Sequence, residues 1–240
     1  MSLNATMTVR ELALEIPSAT RAFEKLGIDY CCGGGKTLEE ACASANLSAE
    51  EVLKSLASVE AEAATGEDRD WKAQPLADLT AHTIAKHHKY VREEITRLGP
   101  LFDKVCSAHG KNHSELLQMR DTFRELSQEL SSHMMKEEMI LFPYIARMEA
   151  ARAGKEPVAP PPFGTVQNPV AMMLHEHDSA GQALKSMRKA SAGYAAPEDA
   201  CASYRTLYAA LGEFETDLHQ HIHLENNILF PRAIEMEGSR

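Results

Sequence analysis

Two short runs carry most of the chemistry open to this chain. His133-Met-Met-Lys-Glu137 is followed by Glu138-Met-Ile140-Leu141-Phe142-Pro143, and His221-Ile-His-Leu-Glu225 by Asn226-Asn-Ile228-Leu229-Phe230-Pro231. A bare His-x-x-x-Glu means little, because 11 histidines among 240 residues make about one such spacing expected by chance. The weight comes from the shared setting. Both copies end in Ile-Leu-Phe-Pro, and every matched position is offset by 88 residues. Leu126 and Leu130 precede His133 as Phe214 and Leu218 precede His221; Ile140 and Leu141 follow as Ile228 and Leu229 do. Such spacings share one face of an α-helix. Each helix is therefore expected to bury an apolar stripe broken by one imidazole and one carboxylate. Burying an ionised carboxylate alone costs several kcal/mol. Two helices accepting that cost at the same place point to a shared cation.

Two more helices offer histidines: His87 and His88 in one, His175 and His177 in the other. The apolar stripe Ile84, Val91, Ile95, Leu98 pairs with Met173, Ala180, Leu184, Met187 at an offset of 89, and His88 pairs with His177 at that offset. His87 has no counterpart in register, so His88 and His177 are the inward pair. His219 and His223 align with Ser131 and Met135 and read as surface or rim residues; His82, His109 and His113 have no counterparts and read as solvated or helix-end residues. Glu129 and Asp217 correspond one turn before His133 and His221. They are candidates to receive a proton from a ligating imidazole, with an acidic helix surface as the plainer reading. Glu176, beside His177, is a weaker candidate of the same kind.

The inward set is His88, His133, Glu137, His177, His221 and Glu225. A structural zinc site needs four ligands, usually with thiolates, and no cysteine falls in the pattern. Magnesium and calcium prefer all-oxygen shells. Six mixed N/O donors in two equivalent halves suit a pair of first-row ions, iron first and manganese second. The simplest assignment gives each ion two histidines, with Glu137 and Glu225 bridging alongside one solvent-derived bridge. That leaves an open position for O2, NO or peroxide. Buried hydrogen-bonded His–Glu pairs in a plain bundle are the bland alternative, and they leave the repeat unexplained.

These side chains need helices to hold them, and the rest of the sequence supplies helices. Hydrophobic residues make up 44% of the chain, enough for a core. The net charge of −10 argues against nucleic acid or an anionic membrane as main partner. The amino terminus has no cationic, apolar leader, and no run reaches the ~18 apolar residues of a membrane span. Five cysteines without framework spacing suit a reducing, cytoplasmic setting. Capping boxes at Thr8/Glu11, Thr37/Glu40 and Ser48/Glu51 predict short helices over residues 1–63, with Gly27 as a C-cap. Between the second and third of these lies Asp29-Tyr30-Cys31-Cys32-Gly33-Gly34-Gly35, whose adjacent thiols read equally as a redox or metal-transfer pair or as an apolar plug. Residues 64–75, with Trp71 as a packing anchor, read as a linker before an all-α bundle over 76–240. Its helices are expected at 76–98 (stopped by Gly99-Pro100), 114–152, 170–190 and 197–235, with an extended crossover over 154–169. Pro143 and Pro231 are expected to kink or end their helices.

With these motifs in place, the chain resembles the hemerythrin-like up-and-down four-helix bundles. With the Cys31-Cys32-Gly33-Gly34 module it resembles the repair-of-iron-centres di-iron proteins. That resemblance implies a carboxylate-bridged, oxo-bridged pair of non-haem irons held by the six residues above. It also implies a stress-response role in restoring iron–sulfur clusters after nitrosative or oxidative damage, with cluster proteins as clients and NO or O2 as small ligand. A carrier or sensor of O2 or NO, or a di-iron oxidase or NO reductase, is the competing expectation. A homodimer is compatible with each.

Overall fold

The computed structural model of the chain describes residues 3–16, 18–63, 70–154 and 161–238, side chains of 58–63 excepted. Residues 64–69 of the expected linker and 155–160 of the expected crossover lie outside these. The regular elements among the described residues are all helices, and the only β-type pairing there is an isolated antiparallel bridge between Thr8 and Thr37. Two compact units are present: Met1–Pro75 with His219–Arg232, and Leu76–Leu218 with Ala233–Arg240.

In the first unit, α1 (Val9–Glu15), α2 (Ala19–Leu26), α3 (Leu38–Ala45) and α4 (Ala49–Ala63) surround a core of Val9, Leu12, Phe23, Tyr30, Leu38 and Leu56. Thr8 and Thr37 each complete the expected capping box with Glu11 and Glu40, satisfying the first backbone N–H groups of α1 and α3. Gly27 ends α2 at φ 67°, a left-handed geometry open to glycine at little cost. The loop after it is pinned by Asp29, whose Oδ1 accepts from the Cys32 N–H at 3.0 Å and the Gly33 N–H at 2.9 Å. Gly34 must be glycine: a Cβ there would lie 2.7 Å from the Tyr30 carbonyl oxygen.

Four helical runs follow, which make up the second unit except for His219–Arg232 of the last. α5 (Leu76–Thr83) passes through a π turn (Ile84–His88) into α6 (Lys89–His109). α7 (Glu115–Lys136) passes through a π turn (Glu137–Leu141) into α8 (Phe142–Arg152). α9 is Gln167–Ala190, and α10 (Ala202–Leu224) continues through a third π turn (Glu225–Leu229) into α11 (Phe230–Gly238). Phe102 of α6 packs on Phe123 of α7, and Phe123 on Phe214 of α10, at ring separations of 5.2 and 5.7 Å. The contact pairs run in opposite senses between α6 and α7 and between α7 and α9, and in the same sense between α7 and α10, which gives up-down-up-down order. Carboxylates close the helix starts: Glu149 accepts from the Leu76 and Ala77 N–H groups at 2.8 and 2.9 Å, and Glu237 from the Val166 N–H just ahead of α9. Each satisfies donors that an α-helix leaves unpaired.

Four expectations are corrected. Gly99-Pro100 does not stop its helix, which runs to His109. Pro100 lies on the solvent side, where the carbonyl it displaces can be hydrated, while Val91, Leu98, Phe102 and Val105 hold the run from the other face. α10 begins at Ala202 rather than near Pro197, because residues 197–201 form a turn. Ile140 is not on the buried stripe; it is 48% exposed. The π turn inserts one extra residue, as the Phe142 N–H bonding to the Glu137 carbonyl five residues back shows. That residue rotates the following face by about 100°, so Leu141 stays inside as expected and Phe142 and Ile145 join it in place of Ile140. The prolines neither end nor break these helices. Pro143 and Pro231 sit immediately after the π turns, where a missing N–H and a crowded carbonyl are absorbed.

Candidate metal centre

Each of the three π turns carries a residue of the inward set. Glu137 and Glu225 open their turns and His88 closes its own. One extra residue per turn widens the helix locally and re-aims the side chain there, a frequent device at functional sites. His133, His177 and His221 come from regular helix. All six are buried, with at most 2% of any residue exposed.

Within the second unit four donors converge. Glu137 Oε2 lies 3.3 Å from His88 Nε2 and 3.4 Å from His133 Nε2, and His133 Nε2 lies 3.1 Å from His177 Nε2. On the α10 run, His221 Nε2 lies 3.1 Å from Glu225 Oε1. Within the second unit His133, Glu137 and His177 meet the spacing of a cation site, each offering a ligand atom within 4.8 Å of the others. Donors at about 2.0–2.2 Å from one first-row ion are at most about 4.4 Å apart, so small movements close the group. Nitrogen and carboxylate donors in this ratio fit iron or manganese better than zinc or calcium.

The outer bonds set which nitrogen faces inward. His133 Nδ1 lies 2.8 Å from Glu176 Oε2, and His88 Nδ1 lies 2.7 Å from Glu138 Oε1. A carboxylate at Nδ1 takes the imidazole N–H and leaves the Nε2 lone pair for a cation. The Nε2 atoms of His133 and His177 otherwise bring polar nitrogens together in a dry interior, and a shared positive charge relieves that. Each outer carboxylate has its own cation. Glu176 pairs with Lys136, and Glu138 accepts from Arg92 Nη2 at 2.6 Å. The His133 hydrogen bond, helped by Lys136 and opposed by burial, holds Glu176 down to about 2. Burial raises Glu138, but the hydrogen bonds from Arg92 and His88 together outweigh it and leave the group below the usual carboxylate range.

Of the three outer candidates read from sequence, Glu176 alone touches a histidine of the inward set. Asp217 instead bonds His87 Nδ1 at 2.9 Å, which accounts for a second buried histidine on that helix. Glu129 is exposed and takes a 3.4 Å bond from Ser179. Glu138 was missed. Its repeat partner is the uncharged Asn226, so a test built on matched pairs passes over it; its position next to Glu137 was the available signal.

His223 corrects the rim assignment. It is buried, its Nδ1 lies 2.8 Å from Asn227 Nδ2, and its ring stands edge-on to Tyr30 at 5.3 Å. Burial lowers its pKa to about 4, leaving the ring neutral. Cys31 is buried and Cys32 half-buried, with Sγ atoms 4.0 Å apart. The hydrogen bond with Cys32, then burial, pushes the Cys31 thiol well up. Trp71 is half-buried, and its carbonyl accepts from Arg232 Nη1 at 3.0 Å.

Residues 79–233 match the hemerythrin HHE cation-binding domain family, and residues 5–60 match a domain of unknown function, DUF542 (ScdA_N). The chain is 38% identical over 227 residues to the iron-sulfur cluster repair protein YtfE of Pectobacterium carotovorum subsp. carotovorum, covering 95% of this chain and 96% of that one. It is 38% identical over 229 residues to YtfE of Musicola paradisiaca (95% and 96%). It is also 36% identical over 230 residues to a probable iron-sulfur cluster repair protein of Haemophilus influenzae (96% and 97%).

Proposed function

The chain belongs to the hemerythrin HHE cation-binding domain family, and on that premise we propose that it repairs iron–sulfur clusters by holding and handing on iron. The relatives named above carry that activity in their names. The observation that carries the reading is the convergence of His88, His133 and His177 on Glu137, with Glu138 and Glu176 behind two of the imidazoles. His88 and His221 would hold one iron and His133 and His177 the other, with Glu137 and Glu225 between them. When bound, the pair supplies exchangeable iron and redox chemistry toward small ligands such as NO. The protein's own contribution is to keep the Nε2 lone pairs inward, exclude water through burial, and fix the two carboxylates. No thiolate locks the metal in, which suits iron that must leave again.

The role extends to recovery from nitrosative or oxidative damage, with cluster proteins as clients. Iron-loaded protein should restore a cluster enzyme inactivated by NO, two irons should be found per chain, and His133→Ala should lose both properties. Full loading without restoration overturns the repair role. Reversible gas binding with no loss of iron would mark a sensor or carrier, and N2O formation with an electron donor that Glu137→Ala abolishes would mark a reductase.

A further inference from the structure

The two outer clamps are alike in plan and differ in the cation that holds the carboxylate. Behind His88, one oxygen of Glu138 accepts both the imidazole and Arg92, at 2.7 and 2.6 Å. Arginine is permanently charged, and its planar fork is preorganised to hold a carboxylate. Behind His133, Glu176 uses one oxygen for the imidazole and the other for Lys136. A lysine is a strongly hydrated point charge on a flexible stem, and it leaves a carboxylate more readily than arginine does.

The surroundings of the two clamps also differ. Glu176 and Lys136 line a surface cleft of about 400 Å³ between α7 and α9, with Gln128, Glu129, Ser132, His175 and Ser179. Both pairs reach solvent, with 47% and 24% of the Arg92 and Glu138 side chains exposed against 29% and 28% for Lys136 and Glu176, but Lys136 has this cleft to swing into. Once Lys136 swings into the cleft, Glu176 becomes a free carboxylate one hydrogen bond from His133, with the Glu129 carboxylate and the His175 imidazole in the same cleft. Oxygen and nitrogen donors then run from the His133 side chain to solvent.

We propose that the two halves of the centre release metal unequally: the cation at His133 and His177 leaves first, through this cleft, while the one at His88 stays. This rests on the iron-holding reading above and names the half that donates. The exchange is of ligands only, with no change of oxidation state.

The test follows Fe2+ leaving the fully loaded full-length protein, under anaerobic conditions, into excess ferrous-specific chelator by stopped-flow absorbance. Two phases of one equivalent each are expected, at least tenfold apart in rate. Lys136→Arg should slow the fast phase severalfold and leave the slow one in place. Filling the cleft by Ser179→Phe should do the same with two irons still bound and the melting midpoint retained; Ser132→Phe serves if that variant does not fold. His177→Ala should lose the fast equivalent and keep the slow one. A single rate for both equivalents overturns the proposal. So does a fast phase that survives His177→Ala or ignores both Lys136→Arg and the cleft filling. Failure to load two irons would instead overturn the iron-holding reading beneath it.

Discussion

At the scale of single residues, the centre depends on which imidazole nitrogen carries the proton, and Glu138 decides that for His88. Replacing it by Gln keeps the shape and removes the charge that draws the Nδ1 proton outward. Losses of this kind cost roughly 10–100-fold in metal affinity. Glu138→Gln should therefore bind iron about that much more weakly in a chelator competition, whereas Glu125→Gln, exposed on α7, should titrate like the parent. Equal affinity for all three would remove the role given to Glu138. The six inward residues were legible because burying a charge is expensive and the expense recurs in register. Glu138 was not, since its partner in the repeat is an amide. Glu176 was legible only as a neighbour of His177, because its bond runs to a different helix, and no spacing along one helix encodes that. His87 shows the opposite limit. It had no counterpart in register, yet Asp217 makes it a buried, paired group.

At the scale of elements, helical periodicity located nearly every helix but assumed an unbroken phase. The π turn at Glu137–Leu141 breaks it, so of Ile140 and Leu141, both placed inside by the pattern, only Leu141 is buried. The phase shift can be tested by stability. Ile140→Asp should change unfolding free energy by no more than about 0.5 kcal/mol, as exposed sites do, while Leu141→Ala should cost about 2–5 kcal/mol as a buried truncation. Denaturant melts of the two variants, compared with the parent, settle it; a larger loss for Ile140→Asp would place the face wrongly. The turn between α6 and α7 offers a second element-level test. His113 sits against Asp199 and Glu115, with His109 and Tyr204 packed around it, and the Asp199 hydrogen bond raises its pKa above the usual value. A raised histidine stabilises the fold fully below its unfolded pKa of about 6.5 and loses that contribution as pH rises through the folded value. Asp199, lowered chiefly by the same bond, contributes only above its own folded pKa. The parent should thus melt above Asp199→Asn near pH 6, with the gap closing by pH 9. An NMR titration should show His113 deprotonating later in the parent than in the variant.

At the scale of the whole molecule, the repeat means that two copies of one helix pattern each bring a carboxylate into a dry interior. Desolvation alone opposes this by several kcal/mol per charged group, a cost that cations bound as proposed would offset. Binding to the folded state only adds RT ln(1 + [L]/Kd), about 4 kcal/mol at a thousandfold excess over Kd. For a chain of this size each kcal/mol moves the melting midpoint by about 2–4 °C. Stripping iron with a chelator should therefore lower the midpoint by roughly 8–16 °C, and returning Fe2+ should restore it. The shift should grow with free Fe2+ concentration, as linkage requires, and Mg2+ should produce little of it, because a hard ion has small use for four imidazoles. The same titration on His177→Ala separates a metal effect from a general loss of packing. If cations stabilise the fold through these donors, that variant melts near the metal-free parent and gains less from added iron. A midpoint indifferent to Fe2+ in the parent would mean that the six buried groups satisfy one another without a cation.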